Sequence, residues 1–270
     1  MREIPRHWQP ASEQVEHEGR RFPLRVWGWS LDSPADAATR ARYRLSAAVE
    51  QLTRGGSGFD YYPRSPLREE VLHEVRDDSG GLVAAVTRNR MGAQVLNTDT
   101  LLIADVDLPR PRRRGLFRRR EEDPGTAARQ RIDAWAAAHP DRGVRTYRTA
   151  AGLRVLVTGA PAGTPDLEAL VALGSDDLYV RLCGQHETYR ARLTPKPHRV
   201  GMPRIPVAWP WDAEQEQSAR SWLEHYATSG RDTAVCELLT AAGPPPTGRQ
   251  AELVELHDRA TAATSGRALA

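Results

Sequence analysis

The sequence predicts an α+β protein: a ferredoxin- or RRM-like βαββαβ core with an open sheet face, an N-terminal α/β extension and C-terminal helices. Three observations carry this. From about residue 100 to 195 the pattern runs strand, helix, strand, strand, helix, strand, an order in which both helices cover one face of a sheet. The segment TLLIADVDL is apolar and ended by Pro109, as a buried strand is. The stretches TAARQRIDAWAAAHP and TPDLEALVALG place apolar residues at helical spacing.

Residues 1–80 form the extension. In FPLRVWGWS, Leu24 and Val26 alternate with tryptophans, which predicts a short strand with Trp27 and Trp29 as packing residues. Asp32 or Ser33 caps a helix through ADAATRARYRLSAAVEQLTRG, and Gly55-Gly56 stops it. GGSGFDYYPRSP is expected as a surface loop and LREEVLHEV as a short helix.

Residues 81–210 form the core. GLVAAVTRNRMGAQVLNT predicts a hairpin turning near Asn89 to Gly92. After the Asp-Val-Asp strand comes PRPRRRGLFRRREEDPG, arginines followed by acids, either a solvated loop or one that clasps phosphates. The next helix turns Ala128, Ile132, Trp135 and Ala136 to one side. VRTYRTA and GLRVLVTG are strands joined by an Ala-Ala-Gly turn. Thr164 is expected to cap the second helix, with Leu167, Leu170 and Val171 inward, and LYVRLCGQHETYRARLTPKP to give two β segments around Gly184. Residues 211–270 hold two helices separated by GPPPTG and end in a frayed ATSGRALA.

Composition narrows the function classes. Hydrophobic residues make up 40% and charged ones 27%, a globular balance. No apolar run approaches the roughly 18 to 20 residues that span a bilayer, so no membrane partner and a cytoplasmic location are expected. Two cysteines are too few for a disulfide scaffold. Cys183 and His186 make only half of a zinc site, and a Cys183 nucleophile with His186 as base has no other support. Net charge is +3, and of 38 basic residues only Lys196 is lysine, which suggests a compact point charge retained for a purpose.

Period-two alternation makes the sharpest claim. Leu102, Ala104, Val106 and Leu108 share one strand face, and Ile103, Asp105 and Asp107 the other. Two carboxylates so close repel unless a cation lies between them, and such oxygen ligands suit Mg²⁺ or Mn²⁺. The alternative is a strand that simply ends in polar residues. Arg154 joins the same open face, while Arg190, Arg192 and Thr194 share a face on a later strand, with Arg181 on the segment before it. These arginines, with Lys196, either neutralise the aspartates or hold the phosphates of an anionic ligand beside them. Asp176 or Asp177 offers a third carboxylate, or serves only a turn.

LIADVD, followed by the turn and strand of TAAGLRVLV, resembles the catalytic core of archaeo-eukaryotic-type primase-polymerases over roughly residues 97–200. That family has an RRM-like sheet with an hhDhD motif, a later strand bearing a small-x-His motif, and a further carboxylate. The resemblance implies metal at Asp105 and Asp107, a nucleotide or nucleic-acid partner such as DNA, and nucleotidyl transfer. Arg154 stands where the family has histidine, so the triphosphate contact would fall to Arg154 and its neighbours. Segments of the chain also resemble uncharacterised bacterial proteins. The Asp-x-Asp of haloacid-dehalogenase-like phosphatases is a weaker comparison, because this chain continues with Leu-Pro rather than Gly-Thr. A non-catalytic protein binding nucleic acid or an acidic partner through an arginine-rich sheet is the competing expectation.

Overall fold

A computed structural model describes residues 1–54, 65–109 and 124–270. The Gly55-Gly56 stop, most of the Gly/Tyr/Pro loop and the arginine-rich loop 110–120 lie outside the described residues. The chain divides into two compact units, one of Arg2–Val71 and one of Leu72–Ala270 with Met1. The protein is α+β, with antiparallel sheets and helices among the described residues.

In the smaller unit, β1 (His7–His17) and β2 (Arg20–Ser30) form an antiparallel hairpin in which Trp8 faces Trp29. The expected short strand is thus eleven residues long and has a partner that sequence reading left out. Helix α1 (Pro34–Thr53) begins at Ser33, whose side chain accepts from the Asp36 amide. Val26 packs with Leu45 and Ala48 between hairpin and helix. The approach is close at Gly28, where a Cβ would lie 2.2 Å from the Ala37 carbonyl oxygen.

Two four-stranded sheets build the larger unit. The first runs β3 (Glu70–Arg76), β4 (Leu82–Arg88), β5 (Gln94–Thr98) and β9 (Tyr189–Arg192). The expected helix LREEVLHEV is therefore a strand from Glu70: β4 offers a hydrogen-bonding edge, and Val71 and Val75 suit an extended chain. The turn between β4 and β5 forms at Asn89 to Gly92 as expected, closed by the Gly92 amide on the Asn89 carbonyl at 2.9 Å.

The second sheet has the order β11-β7-β8-β6, made of β6 (Leu102–Asp107), β7 (Gly143–Thr149), β8 (Gly152–Thr158) and β11 (Cys236–Ala242), all antiparallel. Helices α2 (Pro124–Ala138) and α3 (Leu167–Leu173) occupy the expected places in the order, and Ile132, Leu170 and Leu173 enter the core. Asp166 caps α3 rather than Thr164, and the buried residues are Ala169, Leu170 and Leu173, while Leu167 and Val171, expected inward, are exposed.

The order then departs from expectation. Asp177–His186 is helix α4, capped by the Asp176 side chain on the Tyr179 amide, not a β segment. Its apolar Tyr179 and Cys183, four residues apart, turn inward on one helical face. β9 follows but ladders with β5 in the other sheet. At the seam of the two sheets, the Tyr179 hydroxyl shares its one proton between the carbonyls of Ile103 (2.6 Å) and Arg190 (3.1 Å) and accepts from the Arg190 amide (3.2 Å). One phenol thus fills backbone positions that a continuous ladder would have satisfied.

After the short 3-10 turn Pro197–Val200, the C-terminal region holds α5 (Ala213–Gly230), the two-residue β10 (Thr233–Ala234), edge strand β11, α6 (Gly248–Thr261) and β12 (Ala268–Leu269). The last residues are not frayed: β12 pairs with β10, and the Ala270 amide donates to the Ala234 carbonyl at 2.9 Å.

Candidate functional site

β6 carries its two aspartates out of a buried run. Leu102, Ile103, Ala104 and Val106 are buried, Asp105 is half-buried and Asp107 exposed. The register sets Asp105 opposite Arg154 and Asp107 opposite Gly152. Only glycine fits at 152, because a Cβ there would stand 2.0 Å from the Val106 carbonyl oxygen. The β8 position paired with Asp107 therefore carries no side chain. The turn leading into β8 is held by Thr149, whose hydroxyl oxygen accepts from the Gly152 amide at 3.0 Å.

The expected open face is largely closed. Every residue of β8 is buried, and Arg154 is only 3% exposed, since α6 lays His257 against it. The Arg154 Nη1 donates to the Arg192 carbonyl at 2.9 Å and to His257 Nε2 at 3.1 Å. Its Nε lies 4.0 Å from Asp105 Oδ1, too far for a hydrogen bond, and has no other partner among the described residues. The carboxylates emerge at the end of β6.

Around that end the charges divide into two groups. Asp176 joins the aspartates, its amide donating to the Asp105 carbonyl at 3.0 Å. Desolvation, then the charges of Asp105 and Asp176, push the Asp107 carboxyl above the usual carboxylate range. Arg192 and Lys196 also act on Asp107, drawing its carboxyl down, and Arg199 in turn acts on both of them. Desolvation, then Arg192 and Arg199, push the Lys196 ammonium below its ordinary value. Arg192 is likewise pushed down by burial, an effect that Arg154 and Arg199 add to and Asp105 opposes. The backbone under Lys196 is pinned: Thr194 Oγ1 accepts from the Gln94 amide at 2.8 Å, and the Tyr226 hydroxyl bonds Thr194 Oγ1 and the Pro195 carbonyl.

Asp105, Asp107, Arg154, Arg192 and Lys196 thus come together. Arg190 is half-buried on β9, where its main chain is held by Tyr179. Arg181 lies on the exposed side of α4, a helix, and is not among the main charges felt by Asp107, Arg192 or Lys196. Of the two alternatives for a third carboxylate, Asp176 acts on Asp107, and it caps α4 as well. His186 closes the last turn of α4 while Cys183 is buried within it.

Among the described residues, no three His, Cys, Asp or Glu side chains gather closely enough to hold a metal ion by themselves.

Sequence reading missed Arg199, His257 and the groups behind it. His257 Nδ1 meets Asp258 Oδ1 at 2.9 Å, and Asp258 also receives Tyr147 Oη (2.7 Å) and Arg145 Nη2 (2.8 Å). Burial holds the His257 imidazole down at about 4, so it is neutral. Burial acts to raise Asp258, but the hydrogen bonds from His257 and Tyr147 outweigh it and hold that carboxyl down. A signal was present in the sequence: Leu253, Val254, His257 and Thr261 recur at helical spacing on the buried face of α6.

Comparison with protein-family models, curated proteins and solved structures returned no match. Fold and site together define an α+β protein with a two-carboxylate strand end flanked by arginine and lysine. Among the described residues no helix is long and apolar enough to cross a membrane.

Proposed function

We propose that the chain is a metal-dependent protein acting on a nucleotide or nucleic acid through a primase-polymerase-like palm site, and that the reaction it fits is nucleotidyl transfer. The observation that carries this reading is the pair of opposed charge groups at one strand end. Asp107 feels the charges of Asp105 and Asp176, and Lys196 those of Arg192 and Arg199, while Lys196 and Arg192 offset part of the effect on Asp107 and the two aspartates part of that on Lys196. A divalent cation relieves the first group and an anion the second, and a metal-bound phosphate supplies both together.

In this reading Asp105 and Asp107 bind the cation, which neutralises phosphate charge and aligns the reacting group when present. Lys196, Arg192 and Arg199 hold the phosphate oxygens, Lys196 as a rotatable point charge and the arginines as fixed forks. Arg154 contacts Asp105 and not the phosphate, since both of its bonded directions lead into the protein.

Mn²⁺ titrated calorimetrically into the protein, with and without a nucleoside triphosphate, tests the reading. Saturable binding strengthened by the nucleotide and lost in Asp105→Ala/Asp107→Ala is expected. No binding by folded wild-type protein would sink it.

A second reading has its own support. Arg154 is buried within 4.0 Å of Asp105, so the aspartate is also placed to neutralise a structural arginine in a non-catalytic protein that binds nucleic acid or an acidic partner. In that case Asp105→Ala strands a buried guanidinium and destabilises the fold by about 3–5 kcal/mol. If Asp105 is a ligand group, the same change leaves the fold largely intact.

A further inference from the structure

We infer that His257, oriented by Asp258, is a positioning residue for Arg154 and through it for Asp105; the functional consequence rests on the cation-site reading above. The chain of contacts runs from α6 to β6 without a gap. Asp258 is acceptor-only when ionised, and Tyr147 and Arg145 already donate to it. Its contact with His257 Nδ1 therefore places the imidazole proton on Nδ1 and leaves Nε2 as an acceptor. That acceptor receives Arg154 Nη1, whose other bond goes to the Arg192 carbonyl on β9.

Two fixed contacts on one nitrogen set the plane of the guanidinium. They leave Nε buried, unpartnered among the described residues, and 4.0 Å from Asp105 Oδ1. A buried N–H without a partner is costly, so the group behaves as a donor held in reserve beside Asp105. At this separation it offsets the aspartate's charge without occupying its oxygens, and Asp105 stays available to a cation. With the Nε2 acceptor gone, the guanidinium is free to swing onto Asp105 as a two-bond fork and block it. His257 is fully buried, so it touches no ligand and acts only through Arg154.

Nitrogen NMR on isotope-labelled wild-type protein should show His257 protonated on Nδ1 and bare on Nε2. The opposite tautomer overturns the inference, because Nε2 could not then accept from Arg154. The Arg154 Nε–H resonance, identified by its loss in Arg154→Lys, should shift on Asp105→Asn in the wild-type and His257→Gln backgrounds, since glutamine keeps an acceptor. In His257→Leu that response should grow, because the guanidinium then bonds Asp105 directly, and Mn²⁺ with a nucleoside triphosphate should bind roughly 10- to 100-fold more weakly, the usual range for groups behind a metal ligand. His257→Gln should bind close to wild type. A His257→Leu protein that matches wild type in both signals overturns the positioning role. Should that variant fail to fold, the tautomer and the His257→Gln response decide alone, and loss of the response in His257→Gln counts against the inference. If wild-type protein shows the expected resonances yet binds no Mn²⁺, the positioning stands and the cation-site reading falls.

Discussion

Protonation of His257 should drive a distinct acid destabilisation. The imidazole is fully buried between β7, β8 and β11, facing Tyr147, Arg154 and Cys236, with Asp258 and Arg145 alongside. Its folded value lies at about 4 against an ordinary 6.5, because burial disfavours the cation and the Arg154 charge adds to that. Well above pH 6.5 neither folded nor unfolded protein carries the second, charging proton there, and the group contributes nothing to the pH dependence. As pH falls through 6.5 the unfolded chain takes up a proton that the folded one refuses, so stability drops until the folded imidazole itself titrates near pH 4. With about 1.4 kcal/mol per unit, a gap of about 2.5 units amounts to about 3 kcal/mol. Urea unfolding at stepped pH between 7 and 4.5, on wild type and on His257→Gln, isolates the effect, because the variant lacks the titrating group. The difference in unfolding free energy between the two proteins should shrink by a few kcal/mol on acidification. Parallel curves would refute the buried, neutral histidine.

Three other perturbations probe the seam, the strand end and the cationic group. Tyr179→Phe removes the hydroxyl that serves Ile103 and Arg190 backbone groups between the sheets and should cost about 1–3 kcal/mol in urea unfolding. Gly152→Ala forces β8 away from β6 beside Asp107, and should cost about 1–3 kcal/mol while weakening Mn²⁺ binding. Removing a like charge from Lys196 by Arg199→Gln should move its ammonium back up toward the ordinary value, measured by NMR titration, and weaken nucleotide binding.

Local patterns made much of the fold legible, and long-range pairing hid the rest. The β4–β5 hairpin, the β6 strand and the β7–β8 pair follow from apolar runs broken by the turn at Asn89 to Gly92 and by the Ala-Ala-Gly turn. LREEVLHEV misled because Leu67, Val71, Leu72 and Val75 also fit helical spacing, and only the β4 edge decides for a strand. DLYVRLCGQH misled in the opposite direction. Its β-branched and apolar residues suggested strand, whereas the Asp176 cap starts a helix that buries Cys183. The aspartate pair and the arginine alternation were visible one residue at a time. That β8 is covered on both faces was not, because the covering His257 lies 103 residues from Arg154. Arg199 follows Lys196 by three residues and was within reach, but its role depends on the Pro197–Val200 turn folding it back.

The most direct test of the site is calorimetric titration of Mn²⁺ in the presence of a nucleoside triphosphate, run on wild type beside Asp105→Ala/Asp107→Ala with the thermal stability of both recorded. Saturable binding by wild type that the folded double variant loses is the predicted result. Absence of binding by folded wild type, or a double variant that fails only because it unfolds, would contradict the account and leave the aspartates as partners of buried Arg154.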